Sequence, residues 1–315
     1  MRRPLRRVAL CCVIATIAAW SAYAQQIWVG GYRNYPPRWP KASDFDGSWI
    51  YCRGYYTPVR REQSGSGWNT DYPDADHNFS VRLAELTRTR VRFDQGREPH
   101  FVVMPMTEPL LYQCPMIFME DFGTARLTED EVERLREYLY KGGFVWLDDA
   151  WGSFAWTMIV AELGRVLPAS EFPIIDIPAD HPIMHTLYDV KRMPQVPAIS
   201  FWYRSGGRTS ERGADSDIVT FKGIHDEKER LMVVMTHNTD IADTWEREGE
   251  NREYFDLFSP EGYAIGVNFV LYALTHYLPA YRCSWPTSFA LSALGFGRNF
   301  CTRPLNTSAR YKLPS

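Results

Sequence analysis

The chain has 315 residues, 45% of them hydrophobic and 23% charged, which is apolar mass enough for one large domain or two small ones. A formal charge of -3 argues against nucleic acid as a partner, and the composition excludes disordered, collagen-like, repeat and polybasic architectures. The 11 Trp, 18 Tyr and 17 Phe stand beside 21 Pro and 21 Gly, a mixture that predicts irregular loops carrying aromatic rings.

Residues 1–24 read as a secretory signal peptide: Arg2, Arg3, Arg6 and Arg7, an apolar run over 8–19, then Ala22-Tyr23-Ala24 ahead of Gln25. The run is shorter than the roughly 20 residues that span a bilayer, so cleavage after Ala24 is expected rather than anchoring. Leu10 before Cys11 argues against a lipoprotein site. Loss of the four arginines takes the net charge from -3 to -7. The mature chain is expected to be secreted or periplasmic, without a transmembrane segment, and poorly matched to anionic polymers. In an oxidising compartment Cys52, Cys114, Cys283 and Cys301 permit two disulfides in three pairings. Cys283 with Cys301, the closest in sequence, is favoured, and Cys114 reads equally as a buried free thiol.

Residues 25–47, with Tyr35-Pro36-Pro37-Arg38-Trp39-Pro40, form an irregular Tyr/Trp/Pro-rich arm. A strand is predicted over 49–56, a flexible turn at Ser64-Gly65-Ser66-Gly67, and a helix capped by Asp76, lined by Phe79, Leu83 and Leu86 and closed at Thr87. Short buried strands follow at 101–104 and 116–119, the second running into Glu120 and Asp121. Thr128-Glu129-Asp130-Glu131 is a capping box, Leu135 and Leu139 line the helix it starts, and Gly142-Gly143 stops it. The strand 144–147 leads into Asp148-Asp149-Ala150-Trp151-Gly152 and a helix over 154–166. Further strands are predicted at 174–177, 199–203, 218–221 and 232–235, with a long hairpin beginning at Ser205-Gly206-Gly207. Ser259-Pro260-Glu261 opens a last helix that reaches about residue 277. This alternation specifies an α/β fold, a mostly parallel sheet flanked by helices, in one domain over 48–280 with a tail at 281–315.

In an open α/β sheet, ligands collect beyond the carboxyl ends of the strands. That rule selects Glu120 and Asp121, then Asp148, Asp149 and Trp151, then Thr236, His237, Asn238, Thr239 and Asp240. Crowded carboxylates raise one another's pKa and could hold a proton or a divalent cation. Asp148 and Asp149 with His237 are the candidate catalytic groups. Glu120, Asp121, Trp151, Asn238 and Asp240, with Asp71 and Asp74 from the run ahead of the first helix, are the candidate ligand-binding groups. The competing reading has Asp149 or Ser153 capping a helix, and Glu120 and Asp121 solvated. No cofactor is specified and no metal is assigned. Trp68, Trp151, Trp202 and Trp245 could stack on sugar rings or simply pack loops, and 246–253 reads as a solvated loop or a lid over His237.

The runs Asp71-Tyr72-Pro73-Asp74-Ala75-Asp76, Gly142-Gly143-Phe144-Val145-Trp146-Leu147-Asp148-Asp149, Thr236-His237-Asn238-Thr239-Asp240 and Tyr263-Ala264-Ile265-Gly266-Val267-Asn268 are similar, in this order, to those of the DUF4159 family of bacterial exported proteins. The resemblance extends over about 48–277. It implies a fold like class I glutamine amidotransferases and the trehalose-utilisation ThuA-like proteins, and Asp180-His181-Pro182-Ile183 resembles a short motif of that wider group. In the amidotransferases a sharp turn after a strand bears a nucleophilic Cys; here the matching turn holds Asp148-Asp149. A carboxylate does not replace a thiolate in glutamine hydrolysis. Ser153 lacks the flanking glycines of a nucleophile elbow. The expectation is an exported protein that binds a glycan, another envelope component or a partner protein; the alternative is a hydrolase built on Asp148, Asp149 and His237, with or without a metal.

Overall fold

The computed structural model describes residues 35–276 apart from 64 and 95–97. The segment 1–24 expected to be a signal peptide, the start of the arm, Cys283, Cys301 and the tail lie outside the described residues. Among those described, no helix is long and apolar enough to cross a membrane.

Among the described residues nine strands and six α-helices follow one another: β1 Tyr51–Tyr55, α1 Asp74–Leu86, β2 Phe93–Asp94, β3 Glu98–Pro99, β4 Phe101–Pro105, β5 Ile117–Glu120, α2 Glu129–Tyr140, β6 Val145–Ala150, α3 Gly152–Val166, β7 Ile175–Asp176, α4 Ile199–Ser205, β8 Thr220–His225, β9 Leu231–His237, α5 Asp243–Glu246 and α6 Arg252–Thr275. Seven strands form one sheet in the order β4-β1-β5-β6-β9-β8-β7, and β2 pairs with β3 apart from it. The five strands from β4 to β9 run parallel; β8 and β7 close one edge antiparallel.

Strand alternation sorts the apolar side chains into two cores. Tyr51, Phe118, Trp146 and Val234 face α1, α5 and α6, where Phe79, Trp245 and Phe269 meet them. Cys52, Ile117, Met119, Val145, Leu147 and Met235 face α2 and α3, covered by Leu135, Leu139, Ile159 and Leu163. This is a three-layer, flavodoxin-like sandwich. Thr128 caps α2 with both halves of its capping box formed, and Gly142 leaves it at φ 101°.

Four local expectations need correction. Residues 199–203 form a helix, not a strand: their rings and branched side chains favour strands, but Ile199 is packed into the core and Gly206, at φ 72°, closes the turn by donating to Trp202 O and Tyr203 O. Gly206-Gly207 is therefore a helix stop, and the hairpin lies between β8 and β9. The last helix begins eight residues before Pro260, where Asn251 Oδ1 accepts from Tyr254 N at 2.8 Å. Cys114 is not a free thiol but is bonded to Cys52, with Cα atoms 6.1 Å apart across 62 residues.

Candidate functional site

From β1 the chain moves outward to β4 on one side and then to β5, β6 and β9 on the other, so β1 and β5 flank the switch point of the sheet. Beyond the carboxyl ends of such neighbouring strands a crevice forms, and ligands collect there. The chain turns there on residues in the left-handed region: Asp121 after β5 (φ 49°), Asp149 near the end of β6 (φ 52°), Asn238 after β9 (φ 63°) and Asp71 ahead of α1 (φ 58°). Asp and Asn tolerate that conformation better than other side-chain-bearing residues, and residues held in it cluster at functional sites.

The base of this rim is a buried ion cluster. Arg53, wholly inaccessible, donates from Nη2 to Asp76 Oδ2 at 2.6 Å, from Nη1 to Thr70 O at 2.8 Å, and from Nη1 to Glu120. Burial works against the charge on Arg53, and Asp76 and Glu120 outweigh it. One guanidinium faces two carboxylates. Glu120 is accordingly held well above the usual carboxylate range by its burial, and its Oε1 has no hydrogen-bond partner. Asp76 is thus an ion-pair partner rather than a helix cap; Pro73 occupies the cap position.

Above this cluster the strand ends deliver further acids. Asp148 accepts from the Thr236 hydroxyl at Oδ1, and from Ile241 N at 2.8 Å and Ala242 N at 3.1 Å at Oδ2. Burial still pushes it up to about 7. Asp149 Oδ1 accepts from the Trp151 indole at 2.9 Å; burial, with Asp121 and Glu211 adding, holds Asp149 well above its ordinary value. Asp121 accepts from Gly67 N at 2.9 Å through Oδ2, leaves Oδ1 without a partner, and is pushed up to about 7 by burial. Asp74, also buried, is raised to about 6 by burial and then by Glu246.

Asp71, Asp240 and Asp243 each place a carboxylate oxygen within 4.8 Å of the other two. Asp240 Oδ1 accepts from Asp243 N at 3.1 Å, whereas Asp71 Oδ2 and Asp243 Oδ2 are buried without partners. All three are raised well above the carboxylate range by burial first, then by one another and by neighbouring acids such as Asp149.

His237 is not brought to these acids. Its Nε2 lies 3.0 Å from Gly152 O and its Nδ1 3.3 Å from Thr220 Oγ1, and its ring packs against Trp156 of α3. Burial lowers its pKa, and the charges that act on it belong to Lys222 and Asp215 rather than to Asp148 or Asp149. Asn238 is a staple: Oδ1 accepts from Gly152 N at 2.8 Å and Nδ2 donates to Ile218 O at 2.7 Å. Trp151 is buried. Trp245 lies in the core between Phe79 and Trp146, Trp202 packs on Tyr254, and Trp68 on Tyr55 and Tyr72, so these rings serve packing. The 246–253 segment turns toward α1, where Glu248 pairs with Arg82 and accepts from the Tyr263 hydroxyl at 2.6 Å. It is no lid over His237.

Sequence reasoning missed Arg53, the role of Asp76, and Asp243. Two signals were available. Arg53 shares the face of Tyr51 in an apolar strand, which demands buried counter-charge, and Asp240-Ile241-Ala242-Asp243 has the i, i+3 spacing that faces two carboxylates alike at a helix start.

The family model described as "Domain of unknown function (DUF4159)" matches residues 58–274, more than half of the chain, and the protein belongs to that family. No curated protein matches it.

Proposed function

We propose that this DUF4159 protein is exported, has an amidotransferase-like fold without the nucleophile, and uses its acidic rim to bind a polar, hydroxyl-rich ligand such as a cell-envelope glycan. The observation that carries the reading is the set of buried carboxylate oxygens at the switch point that no donor meets: Asp71 Oδ2, Glu120 Oε1, Asp121 Oδ1 and Asp243 Oδ2. Buried acceptors left without donors are costly, and ligand hydroxyls supply donors.

Three further features support it. The left-handed Asp149, near the end of β6 and three residues ahead of α3, matches the strand-to-helix turn where the amidotransferases carry their Cys, in keeping with a shared fold that has lost that chemistry. Both described cysteines are joined to each other, so no thiol serves the rim among the described residues. A disulfide of this kind persists in oxidising compartments, which agrees with the basic and apolar leader. Hydrolysis by Asp148 or Asp149 with His237 is the weaker reading, because proton transfer needs heavy atoms about 3 Å apart and the imidazole nitrogens are engaged elsewhere.

The test is a thermal-shift screen of purified protein against envelope sugars, in chelator, with wild type and Asp149→Ala side by side. A sugar that raises the unfolding midpoint of wild type and not of the variant is the expected result. A shift that survives the substitution would mean that the ligand binds elsewhere.

A further inference from the structure

Three elements of the chain converge on one spot: the left-handed turn at Asp71, the β9 exit at Asp240 and the first turn of α5 at Asp243. Their carboxylate oxygens lie within 4.8 Å of one another. That span matches oxygens sharing one calcium, which binds its ligands at roughly 2.3–2.6 Å, and a contraction of a few tenths of an ångström would suit magnesium at roughly 2.0–2.1 Å. Three like charges in so small and dry a space repel strongly unless they are protonated or share a cation.

Proximity of acids alone would not make a site. The independent observation is that buried oxygens around the spot are idle: Asp243, only 3% exposed, leaves Oδ2 without a partner, and Glu120, fully buried and outside the trio, leaves Oε1 without one. Arg53, the one buried guanidinium at the base, is already committed to Asp76 and Glu120. The acids of the rim thus outnumber the guanidinium that serves its base.

We propose that Asp71, Asp240 and Asp243 together bind one hard divalent cation, of the calcium and magnesium class, at the carboxyl end of the sheet. The donor set is all carboxylate, which suits hard cations and not the nitrogen- and sulfur-preferring zinc or copper. Three carboxylates leave coordination positions to water or to ligand hydroxyls. The inference rests on the reading of this rim as a binding site and names the ion within it.

The experiment titrates calcium or magnesium chloride alone into chelator-stripped, full-length protein at pH 8, by calorimetry and thermal unfolding. One ion per chain is expected, and at a hundredfold excess over its Kd the midpoint rises by about 5–10 °C. Asp243→Asn and Asp71→Asn are expected to abolish that rise, while Asp243→Asn without cation melts above stripped wild type because a repelling charge has gone. A purely structural carboxylate would not give that pair of opposite effects. Should a variant fail to fold, terbium luminescence sensitised by the rings near the site serves on wild type: emission that calcium quenches supports the proposal, and its absence overturns it. Equal cation binding by wild type and both variants, or no binding by wild type, also overturns it. Sugar binding in chelator without any cation binding sinks this inference alone; cation binding without any sugar binding sinks the glycan reading alone.

Discussion

Thr236 donates its hydroxyl to Asp148 Oδ1 across the β6–β9 ladder, and this contact decides where the next residue points. Successive side chains of a strand face opposite sides. With Thr236 turned toward the α1–α6 layer, His237 must turn toward α3, where it meets Trp156. His237→Gln is therefore expected to leave ligand- and cation-induced shifts unchanged. Asp148→Ala is expected to cost roughly 2–5 kcal/mol in denaturant unfolding, because Thr236, Ile241 and Ala242 lose their acceptor inside the protein. A His237→Gln protein of unchanged stability that lost its ligand shift would restore the hydrolase reading.

Arg53 should be the least replaceable charge in the fold. Arg53→Met leaves Asp76 and Glu120 buried without a counter-charge, and breaking a buried pair from one side costs about 3–5 kcal/mol. The deficit is expected to shrink as pH falls and the two acids take up protons. A variant as stable as wild type at pH 8 in urea melts would contradict the ion cluster.

The rim also fixes the sign of the pH dependence. Asp148 and Asp121 have folded-state pKa values near 7, and Asp71, Asp149, Asp240 and Asp243 are raised well above their ordinary range. A group whose pKa is raised by folding binds its proton more tightly in the folded chain, so its contribution is complete below pH 3.8 and is lost as pH rises toward 7. Chelator-treated protein should melt several degrees higher at pH 5.5 than at pH 8. A midpoint that rises between those values would show that the acids are not crowded.

The Cys52–Cys114 bond closes 62 residues of chain, a loop for which the chain-entropy relation gives about 4 kcal/mol. Replacing both cysteines with Ala should lower stability by about 2–5 kcal/mol, and reductant should bring wild type to the same level. Reductant without effect on wild type would argue against the bond.

Much of this architecture can be read in the residues, and what cannot has physical causes. The capping box at Thr128 and the apolar runs of β4, β5, β6 and β9 are local signals, and they place the elements correctly. The helix at 199–205 is not local: its rings favour strands, and packing of Ile199 with the Gly206 stop overrides them. Pro260 resembles a helix start, yet Asn251 caps nine residues earlier and the Ser259 hydroxyl, bonded to Thr244 O at 2.7 Å, fastens the helix near Pro260. Acids at strand ends mark the rim. Which of them share a spot depends on long-range register, so Asp71 meets Asp240 and Asp243 only once the sheet is assembled, and Asp76 exchanges an apparent cap for Arg53.

The most direct measurement is a carboxyl carbon NMR titration of chelator-treated protein, followed by the same titration with calcium. Crowding at the rim requires Asp148 and Asp121 to titrate near pH 7, and a shared cation requires the resonances of Asp71, Asp240 and Asp243 to move to lower pKa when calcium is added. Rim carboxyls that all titrate near pH 4 without cation would contradict it.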